Sequence, residues 1–530
     1  MRRLLAAVVP ARFRTRLRRL HPDQAVAARG FDAAFYLRTY PDVAEAGDDP
    51  LEHYLAHGWR ELRDPSAEFS TRAYLEAFPD LAESGVNPFV HYLTNGRPRV
   101  VQAEHPLGFR YEVISALVPM DERVAPVLEA AAARRPDAPG RLAEAFATSR
   151  GGLAALHVTV SHDNYAANIG GVQLAIGLEA ARIADQGRDH LHLYPAVAAP
   201  VVRARGEPGL LGVVWNGARV GEFTPADIAG ELGAVAGGAA TARSFAIHSL
   251  LGHEADETAD ILAAAGLTEG DFWLHDFASV CAGYHLLRDD VEDCAAPPPE
   301  SAACSICVYG DWRARHLRAH ARLFARLRLT VVSPSQSALD LWRRASDLPA
   351  KGLEVRPHAV LVERGAAPEP EAGRPFVVAY AGLPAAHKGW PIFRRLGVRF
   401  ADDPRYAFVH LGSRPDMAFS PAFEQVSATA ADPRAMQAAL ERVRPDAVLV
   451  WPLCRETFSF VAYEAVAAGC AIVTGPDSGN VAAFVEAGDH GVVLADEAAL
   501  LAAFETGEIM ALARGTRRPR LYDLAAGATA

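Results

Sequence analysis

Short apolar runs alternate with Ala-rich amphipathic stretches from about residue 152 to residue 498, and this rhythm restricts the fold more than any other feature. Runs such as LAALHVTV and LTVVSP suit buried strands, and the stretches between them suit helices. Strands that alternate with helices build a parallel sheet covered by helices. The rhythm pauses at residues 356–374, where Pro, Glu and Gly gather, and then resumes. The sequence therefore predicts two doubly wound, Rossmann-like α/β domains that face a cleft.

A repeat of 38 residues precedes these domains. YLRTYPDVAEAGDDPLEHYLAHG begins at Tyr36, and YLEAFPDLAESGVNPFVHYLTNG begins at Tyr74. Each unit predicts a short helix, a Pro-Asp turn, a Gly-Asx-Pro break and a second helix closed by Gly. One unit cannot bury its own apolar face, so we expect the two to pack together as a small α-helical repeat domain. At the equivalent positions His53 and His91, a packed helix histidine is favoured over a metal ligand.

Charge and hydropathy exclude some classes of protein. The formal net charge of -11 excludes a general nucleic-acid binder, because such proteins need a basic face to displace counterions. No apolar stretch in the sequence is long enough to cross a bilayer. The first twenty residues, MRRLLAAVVPARFRTRLRRL, carry seven arginines and no acid. They favour a basic amphipathic helix on anionic lipid, with a disordered basic tail as the alternative.

Six cysteines occur, and four of them follow the spacing C-x12-C-x9-C-x2-C between residues 281 and 307. The closing Cys-x2-Cys is half of a typical zinc site, and four thiolates complete a tetrahedral structural site. Free thiols or a redox-sensitive disulfide are the alternatives. The other two cysteines lie in apolar runs, and the overall usage indicates a reducing cytoplasm. The predicted structural zinc ligands are Cys281, Cys294, Cys304 and Cys307.

The strongest chemical signal is PLCRETFSFVAYEAVAAGCAIVTGPDSG, residues 452–479, which follows the predicted strand DAVLVWP. A helix is expected at roughly 460–468, and the N–H groups of Thr457, Phe458 and Ser459 at its start form a phosphate-binding geometry. Glu456 lies at its mouth, where a carboxylate accepts hydrogen bonds from sugar hydroxyls. Glu464 lies within an apolar run, where an unpartnered charge is costly, and a carboxylate there can hold ribose hydroxyls. The alternative is an ordinary amphipathic helix with exposed glutamates.

This segment resembles the Glu-x7-Glu motif of glycosyltransferase family 4, retaining enzymes of the GT-B fold. The flanking pattern PxxxETFxxxxxEAxAxGxxIV fits almost throughout, and the resemblance covers residues 155–505. It implies that Glu456 contacts the donor sugar as a catalytic residue and that Glu464 contacts the ribose.

VVAYAGLPAAHKGWPIF, residues 377–393, is similar to the first strand of the family's carboxyl domain and its Lys-Gly turn. Lys388 is then expected to face the donor diphosphate and to offset the negative charge that grows on the leaving group. The family usually has an arginine after the glycine that corresponds to Gly382, and this chain has Leu383. Arg455 is a candidate for the missing cation.

Two segments of the amino-terminal α/β domain are similar to family segments. In NIGGVQLAIGLEAARIADQG, Gly170 and Gly171 permit close backbone approach at a helix start, as in the family's Gly-Gly loop near donor phosphate and acceptor. An ordinary turn is the alternative. FWLHDF resembles the segment whose histidine lies near the transferred sugar, which makes His275 the predicted catalytic residue, with Asp276 beside it. His248 in FAIHSLLGH is the second candidate, and a core-capping histidine is the alternative for both.

The resemblance implies a hexosyltransferase-type enzyme that moves a sugar from a nucleotide-sugar donor to a glycan or lipid-linked acceptor, with retention and without a cofactor for catalysis. Bacterial surface polysaccharide synthesis, in the cytoplasm or on the inner face of the plasma membrane, is the expected setting. The alternatives are a glycan-binding or scaffold protein with an inactive transferase body, and a nucleotide-sugar epimerase or hydrolase. The predicted segments are a basic amphipathic segment at 1–30, two helical repeats at 31–100, a linker with one or two helices at 101–150, an acceptor domain with a Cys-rich insertion at 151–370, a donor domain at 371–505 and a tail at 506–530.

Overall fold

The chain divides into two compact units, Met1–Ala116 and Leu117–Ala530. No helix within the described ranges is both long and apolar enough to cross a bilayer. Most of the basic segment predicted at 1–30 lies outside the described residues, which begin at residue 23. The computed structural model describes residues 23–67, 69–78, 81, 84–95, 107–151, 153–168, 170–235, 242–368, 371, 373–416, 419, 421–427, 432–515 and 519–527.

The first unit is helical, and aromatic side chains form its core. Each repeat begins its second helix with proline after an Asx cap, since Asp49 accepts from the N–H of Glu52 and Asn87 caps the equivalent helix. Tyr54 of the first repeat packs edge-on against Phe89 of the second, with ring centroids 6.1 Å apart. The two repeats therefore share one core. The helices are α1 Gln24–Ala27, α2 Ala33–Thr39, α3 Pro41–Ala46, α4 Pro50–His53 with a π-helical turn Tyr54–Gly58, α5 Thr71–Ala77, α6 Pro88–Thr94 and α7 Phe109–Ser115.

The two histidines of the repeat are packed side chains. Nδ1 of His53 lies 3.0 Å from the hydroxyl of Tyr36, and Nδ1 of His91 lies 2.9 Å from the hydroxyl of Tyr74. The same partner at the equivalent position of each repeat favours a structural role over metal binding.

The second unit contains two parallel sheets, and the first of them lies within residues 156–355. Its central strand, LHVTV, is buried along its whole length because helices cover both faces. The strands are β1 Leu156–Val160, β2 Asp189–Pro195, β3 Leu211–Trp215, β4 Ala218–Phe223, β5 Ser244–Ile247, β6 Glu269–Trp273, β9 Arg328–Ser333 and β10 Gly352–Val355, with a small hairpin of β7 Leu287–Arg288 and β8 Glu292–Asp293 between β6 and β9. The helices are α8 Met120–Ala133, α9 Gly140–Ala147, α10 Gly171–Asp185, α11 Pro225–Val235, α12 Ala255–Ala264, α13 Ala302–Ser305, α14 Gly310–Arg326 and α15 Gln336–Ala345.

The strand order of this sheet is β10-β9-β6-β5-β1-β2-β3-β4. Neighbours from β10 to β2 pair in parallel, whereas β3 and β4 extend the edge as an antiparallel hairpin. The carboxyl ends of the parallel strands share one edge of the sheet, which brings the loops after β1, β5 and β6 together.

The second parallel sheet lies within residues 376–493 and has the order β14-β13-β12-β15-β16-β17. The predicted α/β class, with two doubly wound sheets after a helical repeat unit, is confirmed. The strands are β11 Ala359–Ala366, β12 Phe376–Ala381, β13 Tyr406–Gly412, β14 Ala422–Gln425, β15 Ala447–Leu449, β16 Ala471–Thr474, β17 Gly491–Val493 and β18 Arg520–Ala526. The helices are a 3-10 turn Ala386–Lys388, α16 Trp390–Arg399, α17 Ala435–Val443, α18 Phe460–Ala467, α19 Asn480–Gly488, α20 Glu497–Thr506 and α21 Ile509–Arg514.

Two stretches that the sequence assigns to connections hold regular structure: a strand in the expected pause, and two helices in the linker that was expected to hold one or two. Strand β11, in the expected pause at 356–374, pairs antiparallel with β18 of the expected tail, and this ribbon packs on α18. Helices α8 and α9, in the expected linker at 101–150, belong to the second unit. Leu142 and Phe146 of α9 are buried in the core of the first sheet, because the amphipathic helix has an apolar face to cover.

Candidate active site

Loops at the carboxyl ends of the two sheets meet each other. The hydroxyl of Thr457 donates to the carbonyl of His275 at 2.9 Å, which joins the start of α18 to the end of β6. Arg455 forms a two-pronged ion pair with Asp293, with Nε 3.0 Å from Oδ1 and Nη2 2.7 Å from Oδ2. The predicted residues around His275 and Glu456 are therefore brought together from opposite sheets.

A lysine–glutamate ion pair lies beside this junction. Nζ of Lys388 is 2.6 Å from Oε1 of Glu456. Burial opposes the charge of Lys388, but the Glu456 carboxylate outweighs it and raises the pKa of the ammonium. The lysine side chain is 43% exposed, so its charge is accessible to a ligand.

A tight turn fixes where Lys388 stands. The next residue, Gly389, has φ of 84°, and a Cβ there would lie 2.0 Å from the carbonyl oxygen of Trp451. Only glycine therefore fits between the lysine turn and the chain that leaves β15. Glu456 is fixed in turn by the next loop, because its N–H donates to Ser478 and its carbonyl accepts from Asn480.

Helix α18 begins directly after Glu456. Ser459 caps the helix by accepting from the N–H of Ala462 at 3.4 Å. Among the described residues no acceptor is found for the N–H groups of Thr457, Phe458 and Ser459. These free donors stand at the positive end of the helix dipole, where an anionic group is stabilised.

Glu464 lies inside α18 and is 4% exposed. Its carboxyl has no hydrogen-bond partner within the described ranges, and burial alone raises its pKa to about 7. The sequence expected a buried glutamate that needs a partner, and the structure leaves this one without a protein partner. Such a carboxylate is stabilised when hydroxyl groups of a ligand donate to it.

Glu464→Gln is expected to raise Tm at pH 8 and to flatten the fall in stability with pH. The folded-state pKa of about 7 lies above the ordinary value of 4.5. The stability tied to the neutral carboxyl is therefore fully present below about pH 4.5 and is lost as pH rises through 7. At pH 8 the difference is on the order of 3 kcal/mol. Thermal unfolding at pH 5 and pH 8 measures it, with the exposed Glu486→Gln as control. A Glu464→Gln protein with the pH dependence of the wild type contradicts the prediction.

The Gly-Gly loop faces the start of α18 from the other domain. Gly171 begins α10, and a Cβ on it would lie 3.4 Å from Cδ2 of Phe460. A Cβ on Gly170 would lie 2.3 Å from Oε1 of Gln173, so a larger residue there would require the Gln173 side chain to move. Gly171 therefore lies where the two domains approach each other, and Gly170 directly precedes it.

His275 lies at the end of β6 and is partly buried. Its Nε2 is 2.7 Å from Nδ1 of His248, so the first and second candidates are hydrogen-bonded to each other. Burial, with help from His248 and His358, holds the pKa of His275 well below its ordinary value. His275 is therefore a neutral imidazole. The adjacent Asp276 accepts from the N–H of Ala278 at 2.8 Å, and burial raises its pKa.

Sequence reasoning missed two residues that contact this site. His358, in the expected pause at 356–374, stacks on His275 with ring centroids 5.1 Å apart and on Phe460 with centroids 5.6 Å apart. Glu179 of α10 contacts His248 from within the domain. Glu179 carries the signal that singled out Glu464, a charged residue in an apolar run (LAIGLEAARIA). His358 follows a proline in a polar segment and carries no such signal.

The four clustered cysteines line one small cavity together with Arg313. Arg313 donates to Sγ of Cys304 at 3.1 Å, and burial raises the pKa of Cys281 to about 11. No group of His, Cys, Asp or Glu in the part of the chain that the structure describes is arranged to hold a metal ion. Zinc binding by these four cysteines stays a prediction.

If the cysteines do bind zinc, the purified protein is expected to carry about one zinc per chain, and a Cys304→Ala/Cys307→Ala variant to carry none. Four thiolates would fill the coordination of the zinc ion, which makes the site structural. Removal of the zinc is therefore expected to lower Tm. Elemental analysis with thermal unfolding in a chelator measures both. The buried Cys470→Ala, outside the cavity, is the matched control. A zinc-free wild-type protein purified without chelator contradicts the prediction.

No family model matches the chain, and no curated protein sequence matches it. The solved structures similar to it include HepE of Anabaena in complex with UDP and glucose, at 13% identity and a TM-score of 0.40, covering 68% of this chain and 92% of that one. WaaG, a glycosyltransferase involved in lipopolysaccharide biosynthesis, matches at 12% identity with a TM-score of 0.39, covering 68% of this chain and 93% of WaaG. The pneumococcal O-GlcNAc transferase GtfA in complex with UDP and GlcNAc matches at 7% identity with a TM-score of 0.38, covering 68% of this chain and 94% of GtfA. Likenesses of this size assign no activity.

Proposed function

We propose that the chain is a retaining, GT-B-type glycosyltransferase of the family 4 kind, which transfers a sugar from a nucleotide-sugar donor. The observation that carries the proposal is the arrangement around α18. Lys388 and free N–H groups stand at its start, Glu456 stands at its mouth, and the unpartnered Glu464 lies within it. These are the complementary groups for a diphosphate, a sugar and a ribose, in that order.

The diphosphate would lie at the start of α18. The helix dipole and the N–H groups of Thr457, Phe458 and Ser459 supply fixed positive ends, and Lys388 supplies a full charge. Lys388 is now neutralised by Glu456. Donor binding would exchange that ion pair for a lysine–phosphate contact and a carboxylate–sugar contact.

In the reaction, the bond between the anomeric carbon and the phosphate oxygen breaks, the acceptor hydroxyl oxygen bonds to that carbon, and the hydroxyl proton passes to the departing diphosphate. Positive charge grows on the sugar ring, where Glu456 stabilises it. Negative charge grows on the departing diphosphate, where Lys388 and the N–H groups stabilise it without an obligatory metal ion. His275, as a neutral imidazole, can exchange a hydrogen bond with the sugar or the leaving group.

The acceptor is proposed to be a glycan or a lipid-linked glycan of bacterial surface polysaccharide synthesis. It would approach from the first sheet, where the loops after β1 and β6 carry the polar side chains of the cleft. The basic segment at 1–30 would bring the enzyme to the inner face of an anionic membrane, since clustered arginines bind acidic lipid.

A thermal-shift panel tests the proposal. The ligands are UDP, GDP, ADP and dTDP, each alone and as its glucose conjugate, and UDP-galactose, UDP-GlcNAc and GDP-mannose. A ligand present at 100 times its Kd stabilises the folded state by about 2.7 kcal/mol, so the true donor should stand out. Glu464→Gln should lose this response while keeping its fold. Absence of a response to every ligand contradicts the proposal.

Turnover then separates the alternatives. Release of nucleoside diphosphate that depends on an added glycan acceptor supports a transferase. Release without any acceptor, or conversion to an isomeric nucleotide sugar, supports a hydrolase or an epimerase instead. Tight donor binding without turnover of any kind supports a glycan-binding or scaffold protein.

A further inference from the structure

A buried carboxylate stands behind the imidazoles of the candidate site. Glu179 on α10 is 7% exposed. It accepts from the hydroxyl of Thr159 at 2.6 Å, and Nε2 of His248 lies 3.3 Å from its other oxygen. Nε2 of His157 lies 3.2 Å from the first oxygen. Burial opposes ionisation, but His248 and His157 outweigh it and hold the pKa of Glu179 well below its ordinary value. The group is therefore an ionised, acceptor-only carboxylate.

His248 passes this constraint on to His275. An ionised carboxylate accepts and does not donate, so Nε2 of His248 has to carry a hydrogen. Nδ1 of His248 faces Nε2 of His275 at 2.7 Å, and a single hydrogen lies between the two nitrogens. The rings are nearly parallel, at 13° and with centroids 4.9 Å apart. A neutral imidazole carries one N–H. Once it is fixed whether Nε2 of His275 carries that hydrogen, it is also fixed whether Nδ1 donates or accepts.

Both ends of this chain of contacts are held by the surrounding fold. Thr159 stands on β1, Glu179 on α10, His248 after β5 and His275 after β6, so four elements of one domain fix the line. On the far side of His275, the ring of His358 stacks with centroids 5.1 Å apart and an interplanar angle of 8°. The hydroxyl of Thr457, from the other domain, donates to the carbonyl of His275. The line therefore runs from the interior of the first domain to the junction of the two domains.

We propose that Glu179 and His248 are positioning residues that fix the ring orientation and the tautomer of His275 at the domain junction. The geometry matches the carboxylate–imidazole arrangements that orient functional histidines elsewhere. The consequence for transfer rests on the proposed function, because there His275 meets the donor sugar or its leaving group. The positioning itself does not depend on that function, since it is a property of the free protein.

The experiment reads the tautomer of His275 in the protein without ligand. Protein labelled with 15N in its histidines is measured by two-dimensional NMR at pH 7.5, and the His275 signals are assigned by their loss in His275→Gln. We expect one tautomer in the wild type, with one nitrogen protonated and the other bare. In Glu179→Gln the amide can turn either edge to His248, so both tautomers of His275 are expected to interchange and average the two shifts.

The matched control is Glu254→Gln, another buried carboxylate, which caps α12 and pairs with Arg322 outside this line. It should leave the His275 signals unchanged. Should Glu179→Gln fail to fold, the wild-type spectrum still decides, and Thr159→Ser supplies a folded variant that keeps one tautomer. Averaged shifts in the wild type, or wild-type shifts in folded Glu179→Gln, overturn the proposal. A negative ligand panel would overturn the transferase proposal and leave this one standing.

Discussion

Lys388→Met is expected to lower the rate of nucleoside diphosphate release from the donor by a factor of about 10²–10³. The methionine keeps the length and the packing of the side chain but removes the charge that would meet the leaving diphosphate. Lys388→Arg should recover part of the rate, because a guanidinium keeps the charge but not the compact ammonium geometry. Steady-state turnover at saturating donor measures the loss.

The chain offers a matched control for this prediction. Lys351 and Lys388 are its lysines, whereas arginine supplies the other cations. Lys351 lies before β10 and pairs with Glu269, outside the domain junction. Lys351→Met should therefore turn over at the wild-type rate. In protein labelled with 15N in its lysines, nucleoside diphosphate should shift the Lys388 signal alone. Equal loss in the two methionine variants, or a shift at Lys351, contradicts the role of Lys388.

The fold class was predictable because burial leaves a simple pattern. Strands covered on both faces appear as short continuous apolar runs, as in LHVTV of β1. The positions of Glu456, Glu464 and Lys388 were predictable for a related reason. Glu456 and Lys388 lie in loops that follow strands, and Glu464 lies in the helix that begins after Glu456. Loops after parallel strands gather at one edge of a sheet. What the sequence supplies there is the order of elements, and that order places the side chains.

The β11–β18 ribbon was not predictable in the same way. The whole second sheet lies between its two strands in the sequence. Their pairing is a long-range contact, which leaves no local pattern along the chain. Val360 and Val362 remain 40% and 50% exposed, so β11 lacks the continuous apolar run of a fully buried strand. The partner strand follows a basic stretch that suggests a tail. Long-range antiparallel pairing of two half-exposed strands leaves little periodic signal.

The line from Glu179 to His275 was hidden for a different reason. Its members come from β1, α10 and the loops after β5 and β6, and no two of them are close in sequence. A single histidine past a strand is compatible with a capped core, which was the alternative weighed for both histidines. Their mutual hydrogen bond at 2.7 Å becomes visible only when the sheet aligns the strand ends.

The ion pair between Arg455 and Asp293 bears on the missing family arginine. Leu383, where the resemblance to family 4 implies an arginine, is 49% exposed, and Arg455 is the candidate replacement. Arg455 is engaged by Asp293 of the Cys-rich insertion and by Asp477. Asp293 directly precedes Cys294 of the cysteine cavity. The guanidinium therefore joins the insertion to the loop before α18. Lys388 is left as the cation that we propose for the diphosphate.

Glu456→Gln is expected to have two opposite effects, which makes it the sharpest test of the site. Turnover of the nucleotide sugar should fall by about 10²-fold, since a hydrogen bond from a sugar hydroxyl to a charged acceptor contributes up to about 3 kcal/mol. Binding of the bare nucleoside diphosphate should tighten by up to about fivefold, because Lys388 no longer has an anionic partner to leave. Turnover assays and calorimetric titration measure the two effects.

Damage to the fold would weaken both turnover and diphosphate binding, and exposed Glu486→Gln should change neither. Weaker diphosphate binding in a folded Glu456→Gln protein would mean that the ion pair supports the phosphate site instead of competing with it.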